Sequence, residues 1–190
     1  SVHLGALELG VPIRLIAPSK HMVDFERLRR KVAGALYRDR MCKLVLDDAP
    51  DVWYWAVLQG STELDMFAET GGTELQFLCP EPYAHGRKTT RVSNGGSISV
   101  NVGGNYKTAP VVKVYSGGTT VSVNFDGALF QTDGNAAQYA EVDAVNHMVT
   151  DVDGTPVPIE ITSDWPIWEP GVHTVRCQKR FEVTWEELWL

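Results

Sequence analysis

The chain has 190 residues, 44% of them apolar, which suits one large domain or two small ones with a sizeable core. A formal charge of −7 excludes a protein that coats nucleic acid as its main role, since that would need a basic face. Three widely spaced cysteines, Cys42, Cys79 and Cys177, argue against a disulfide framework, and no apolar run reaches the roughly 18–20 residues of a membrane span.

Leu4 to Ile16 is rich in Leu, Val and Ile, with Gly10 and Pro12 interrupting, and reads as an edge strand or hairpin arm. Ser19 to Tyr37 has the periodicity of a helix. Phe25, Leu28, Val32 and Leu36 recur at steps of three and four and make one apolar stripe, with Ser19 as the expected N-cap. Asp24 and Glu26 precede Arg27, Arg29, Arg30 and Lys31, an order that complements the helix dipole and predicts a solvated, ion-paired face rather than a nucleic-acid contact.

Lys43 to Tyr83 reads as four strands in succession. Cys42, Leu44 and Leu46 alternate with Lys43 and Val45, and Asp47-Asp48-Ala49-Pro50-Asp51 is expected to stop that strand. Val52 to Leu58 is apolar on both faces, with Val52, Tyr54, Ala56 and Leu58 opposing Trp53, Trp55 and Val57. Such a strand is buried on both sides, in a core or at a subunit contact. Thr62 to Phe67 continues the meander, Gly71-Gly72 is expected to turn it into Thr73 to Cys79, and Pro80-Glu81-Pro82-Tyr83 closes it.

His85 to Thr90 is short and polar, and the domain boundary is placed there, giving domains 1–86 and 87–190. Beyond it, short segments alternate between glycine- and aspartate-rich turns: Ser97–Val102, Pro110–Tyr115, Thr119–Phe125, Tyr139–Val145, Met148–Val152, Val157–Ile161, His173–Gln178 and Arg180–Trp185. Gly117-Gly118 reads as a hairpin turn, and Asp153-Gly154 as a type I′ hairpin turn. Short strands at this spacing with no helix among them predict a β-sandwich or jelly roll. The fold class is therefore mainly β with one helix (α+β).

Little in the pattern points to chemistry. His3, His21, His85, His147 and His173 lie in no H-E-x-x-H, C-x-x-C or H-x-E spacing, so neither metal nor cofactor is expected. Asp151-Val152-Asp153-Gly154 imitates the opening of a calcium loop but lacks the later ligands in register. No Ser sits in a G-x-S-x-G elbow, and no glycine turn carries the Lys-Ser/Thr of a phosphate loop. An enzyme is not expected. Trp165 and Trp168, flanking Pro166, are the candidates for a sugar- or partner-binding surface, weighed against packing of a bend.

The run KLVLDDAPDVWYWAVLQGS (Lys43–Ser61), the strand end FLCPEPYAHG (Phe77–Gly86) and the segment SDWPIWEPGVHTV (Ser163–Val175) together resemble the distal tail (Dit) proteins of long-tailed bacteriophages. The resemblance implies a split-barrel-like ring domain built on the meander, followed by a galectin-like β-sandwich. It also implies a virion protein of the tail tip, assembled in the host cytoplasm as a ring, a hexamer by family analogy. Its partners would be the tail tube, the tape measure and receptor-binding proteins, with cell-wall carbohydrate as a further ligand. Alternatives are a free lectin-like module and a cell-wall hydrolase. The family ordinarily has further strands ahead of Leu4, so a chain starting at Ser1 is expected to be a fragment or a processed form. Candidate subunit contacts are Val52, Trp53, Tyr54, Trp55 and Val57, with Leu9, Val11 and Ile13 of the first arm.

Overall fold

The computed structural model of the chain describes residues 5–16, 22–59, 65–66 and 70–190. They form two compact units, Ser1–Ala84 and His85–Leu190.

In the first unit the strands are β1 (Leu7–Ile16), β2 (Cys42–Leu46), β3 (Ala49–Gln59), β4 (Asp65–Met66) and β5 (Thr70–Cys79), with the helix α1 (Met22–Leu36) between β1 and β2. All pairings are antiparallel: β1 on β5, β5 on β3, β3 on β2, and β4 on β5. Among the described residues β1 is an edge strand, as its composition implies. Pro12 lies opposite Glu74 in the β1–β5 ladder. Its missing N–H is tolerated there only if that position faces outward, where no ladder bond is lost. The helix packs on β1 with Leu28, Val32 and Leu36 half-buried, while Arg27, Arg29, Arg30 and Lys31 stay exposed. Glu26 pairs with Arg29 at 3.4 Å, so the ion-paired face is observed; the expected N-cap Ser19 lies outside the described residues.

The acidic run stops β2 at Leu46 as expected, but the turn is shorter than its composition suggests, and a second expected turn is absent. The β2–β3 turn is Asp47-Asp48 alone, and Pro50 is inside β3. The register shifts between Leu44 and Leu46, and this irregularity lets a residue without an N–H enter the strand. Gly71-Gly72 does not turn the chain. Both glycines lie within β5, paired with Leu15 and Arg14 on one side and with Met66 and Asp65 on the other. Most of the expected strand Thr62–Phe67 lies outside the described residues, which hold only β4 from it.

The second unit is two packed sheets. One runs β6 (Ala84–Ser93), β14 (Phe181–Trp189), β8 (Val111–Val114), β11 (Ala140–Asp143), β12 (Met148–Thr150); the other runs β10 (Ala128–Gln131), β9 (Ser122–Phe125), β13 (Gly171–Cys177), β7 (Gly96–Val102). Alternation does the sorting. Val112, Val114, Val142, Phe181 and Val183 of the first sheet meet Val100, Val123, Phe125, Phe130 and Val175 of the second, all buried. Trp168 fills the middle at 1% exposure, edge-on to Phe125 and Trp185 at 6.4 Å each.

The sandwich expectation holds, with local corrections. The polar run His85–Thr90 is not a linker but part of β6, whose Thr90 meets Thr184 across the ladder at 2.9 Å. Gly117-Gly118, at φ 63° and 86°, does not close a hairpin: β8 pairs with β11 and β14, whereas β9 pairs with β10 and β13, so the glycines carry the chain from one sheet to the other. Val157–Ile161 makes one isolated bridge, Ile159 with Thr132, and Val157 is buried. The turn at Asp151–Gly154 is held by Asp151, whose Oδ1 accepts from the N–H groups of Asp153 and Thr155, both at 3.0 Å. Asp153 is not at positive φ, so this is not the type I′ turn expected.

Candidate assembly surfaces

Period-two alternation assigns each strand of the first unit two faces. On one face, Leu7, Leu9, Val11 and Ile13 of β1 lie beside Leu75, Phe77 and Cys79 of β5, then Tyr54, Ala56 and Leu58 of β3, then Cys42 and Leu44 of β2. Leu75, Cys79 and Ala56 are buried, so this face looks inward. On the other lie Lys43, Val45, Trp53, Trp55, Val57 and Leu78. Trp55 is 41% and Val45 46% exposed, and Trp53, Val57 and Leu78 are half-buried. The Lys43 ammonium sits 3.7 Å over the Trp53 ring, a contact of about 0.5–1 kcal/mol at an exposed site.

The candidate contact residues therefore fall on opposite faces. Leu9, Val11, Ile13, Val52 and Tyr54 belong with the inward set; Trp53, Trp55 and Val57 belong with the open one. One flat contact cannot use both. Val52–Leu58 is also not buried on both sides in this chain, because Trp55 keeps much of its ring in solvent.

In the second unit the two candidate tryptophans, Trp165 and Trp168, are packed against other rings. Trp168 is enclosed, its ring stacked on His173 at 5.1 Å and its backbone bonded both ways to Thr108 at 2.7 and 2.8 Å. Trp165 is half-buried, tilted against Phe130 at 5.0 Å and stacked on His147 at 5.3 Å, so its neighbours occupy its faces. Both pack a bend, the alternative the flanking Pro166 favours.

A polar clamp was not legible as such. Asp126 and Gly127, at φ 51° and 99°, make the two-residue turn between β9 and β10, with Phe125 paired to Ala128. The Asp126 carboxylate reaches across to β13, taking the Thr174 N–H at 2.6 Å and His173 Nδ1 at 2.7 Å, while His173 Nε2 lies 2.6 Å from the Glu169 carbonyl. Both ring nitrogens thus face an oxygen, which fixes the plane of the ring between the turn and the bend at Glu169. The Asp-Gly pair was the available signal. Burial pushes the thiols of Cys79 and Cys177 upward, leaving both as poor nucleophiles. Among the described residues no group of His, Cys, Asp or Glu is placed to hold a metal ion.

Residues 1–79 match the family described as phage tail protein RIFT-related domain. The fold of the whole chain is similar to the crystal structure of the SPP1 Dit (gp 19.1) protein, described as "a Paradigm of Hub Adsorption Apparatus in Gram-positive Infecting Phages". That similarity has a TM-score of 0.84 at 20% identity and covers 99% of this chain and 81% of the other. No curated protein sequence matches the chain. The first 79 residues thus match a phage tail domain family, and the chain as a whole has the fold of the SPP1 protein. The resemblance read from the three sequence segments, to the distal tail proteins of siphophages, stands.

Proposed function

We propose that copies of this chain close into a ring that joins the tail tube to the host-adhesion apparatus, as a hub of the phage tail tip. The open face of the first unit carries this reading. Trp53, Trp55, Val57, Val45 and Leu78 form an apolar stripe on a sheet whose outermost strand, β1, ends the strand order. An exposed aromatic stripe beside an open ladder is a surface built to be covered by protein. Identical subunits in a ring use a head-to-tail contact, which needs two different patches on each copy. The stripe and the β1 edge are two such patches. The similar SPP1 protein is described as a hub of an adsorption apparatus, which supports the same role, and a hexamer follows by family analogy. The galectin-like sandwich would then serve as the docking platform for receptor-binding proteins.

Light scattering coupled to size-exclusion chromatography, with electron microscopy for rings, tests the reading on the wild-type chain, Trp53→Ser and Trp55→Ser. Assembly is expected to weaken in both variants. Unchanged assembly in both removes the stripe from the contact. Burial of Trp168 favours the ring reading over the lectin alternative.

A further inference from the structure

The outer face of the β10-β9-β13-β7 sheet carries a groove of about 330 Å³, lined by Thr120, Ser122, Asn124, Leu129, Arg176 and Lys179 and floored in part by Cys177. Its position follows from register. Leu129 lies opposite Asn124, Asn124 opposite Arg176 and Arg176 opposite Ser97, so these four side chains form one row across the sheet. Opposed residues on one face stand about 4.5–5.5 Å apart, close enough for one ligand to touch several.

The charge of this groove is opposite to that of the chain. It holds Arg176 and Lys179 and no carboxylate, within a protein of net charge −7. Arg176 is exposed, and among the described residues its guanidinium has no ion-pair, hydrogen-bond or ring partner. Lys179 is held in place: its ammonium donates to the Ser116 carbonyl at 3.1 Å, the Thr120 carbonyl at 3.0 Å and the Thr119 hydroxyl. All three acceptors are neutral, so they fix the charge without cancelling it. The remaining lining is uncharged hydrogen-bonding groups. Asn124 Oδ1 is taken by the Gly127 N–H at 2.9 Å, which turns its amide donors to other use. The hydroxyls of Thr120 and Ser122 and the Gln178 amide make no bond among the described residues.

We infer that this groove binds a phosphorylated polyol. A planar guanidinium with a second fixed cation matches a phosphate group, and the flanking hydroxyls and amides match the alcohol groups of the attached chain. Glycerol 3-phosphate is the probe, with inorganic phosphate and glycerol as the two halves of its chemistry and a short glutamate-rich peptide as the competing acidic-protein ligand. Binding to the full chain is read by amide chemical shifts and calorimetry at low and high salt.

Glycerol 3-phosphate is expected to bind more tightly than either half, to shift the amides of Ser122, Asn124, Arg176 and Gln178, and to weaken as salt rises. Arg176→Gln should lower its affinity about tenfold, because a charge-assisted pair is lost. Arg176→Lys should recover part of that. Arg87→Gln, an equal change of net charge at an exposed β6 site outside the groove, should leave it unchanged. Equal loss in Arg176→Gln and Arg87→Gln would overturn the assignment, as would shifts elsewhere in the chain. So would tighter binding of the glutamate-rich peptide than of glycerol 3-phosphate, or no binding of the latter. The ring reading concerns the other unit and stands or falls separately.

Discussion

Trp168→Ala removes the central ring of the sandwich. The side chain is 1% exposed and wedged among Phe125, Trp185 and His173. A buried indole removes about 150–250 Å² from water, or about 4–6 kcal/mol at ~25 cal/mol per Å². Its N–H is buried with no acceptor among the described residues, and loss of that orphan donor returns about 1–3 kcal/mol. The net cost is about 3 kcal/mol, at the low end for Trp→Ala in a core. For a unit of about 100 residues that lowers the melting midpoint by about 12–24 °C. Trp168→Phe keeps most of the ring and deletes the N–H, so it should cost under about 1.5 kcal/mol. Guanidinium titration followed by far-UV circular dichroism, with the slope unchanged between variants, gives both numbers. A loss below about 1.5 kcal/mol in Trp168→Ala, or equal losses in the two variants, would refute the reasoning from enclosure and the orphan donor.

Gly104, at φ 88°, holds its α-carbon against the Leu188 carbonyl, which accepts from the N–H groups of Asn105 and Tyr106 at 3.0 and 3.1 Å. Gly104→Ala should cost more than about 2 kcal/mol, while Gly154→Ala, at φ 77° in open space, should cost only about 1 kcal/mol of backbone strain; urea midpoints compare them. Asp126→Ala should lose about 2–3 kcal/mol and Asp126→Asn less, since asparagine tolerates the left-handed turn and keeps one acceptor oxygen; thermal unfolding ranks the two. Ellman's reagent should label half-buried Cys42 in the folded chain and reach Cys79 and Cys177 only on unfolding. Burial raises the Cys177 thiol above its usual 9.0, so the folded state keeps a proton the unfolded chain releases. That contribution is intact below the unfolded value and lost as pH rises past it. The fall in urea midpoint between about pH 8 and about pH 10 should therefore be smaller in Cys177→Ala than in the wild-type chain.

Alternation was the most readable signal. Val121, Val123 and Phe125 point inward as their spacing implies, and Leu28, Val32 and Leu36 make the half-buried side of α1. What misled was punctuation. Pro50 and Gly71-Gly72 look like stops, yet one sits at an irregular register and the others lie between two partner strands. Whether a glycine pair turns or crosses is decided by which strands it joins, and Gly117-Gly118 joins strands of different sheets. The short strand Ala128–Gln131 was missed although Asp126-Gly127 is a strong hairpin signal. The groove at Arg176 was invisible in sequence because its lining comes from three separate strands. The opposed faces of β3 were legible, but which one stays open is set by what packs over the sheet, and alternation along one strand carries no sign of that.

Pro12 gives the first strand a property beyond stickiness. With one donor missing from its outer row, the strand resembles a comb lacking a tooth, and a neighbour laid against it finds its best fit in a single alignment. For identical copies joined head to tail, the rotation at each contact decides between a closed circle and an endless rod, and one fixed alignment means one fixed rotation.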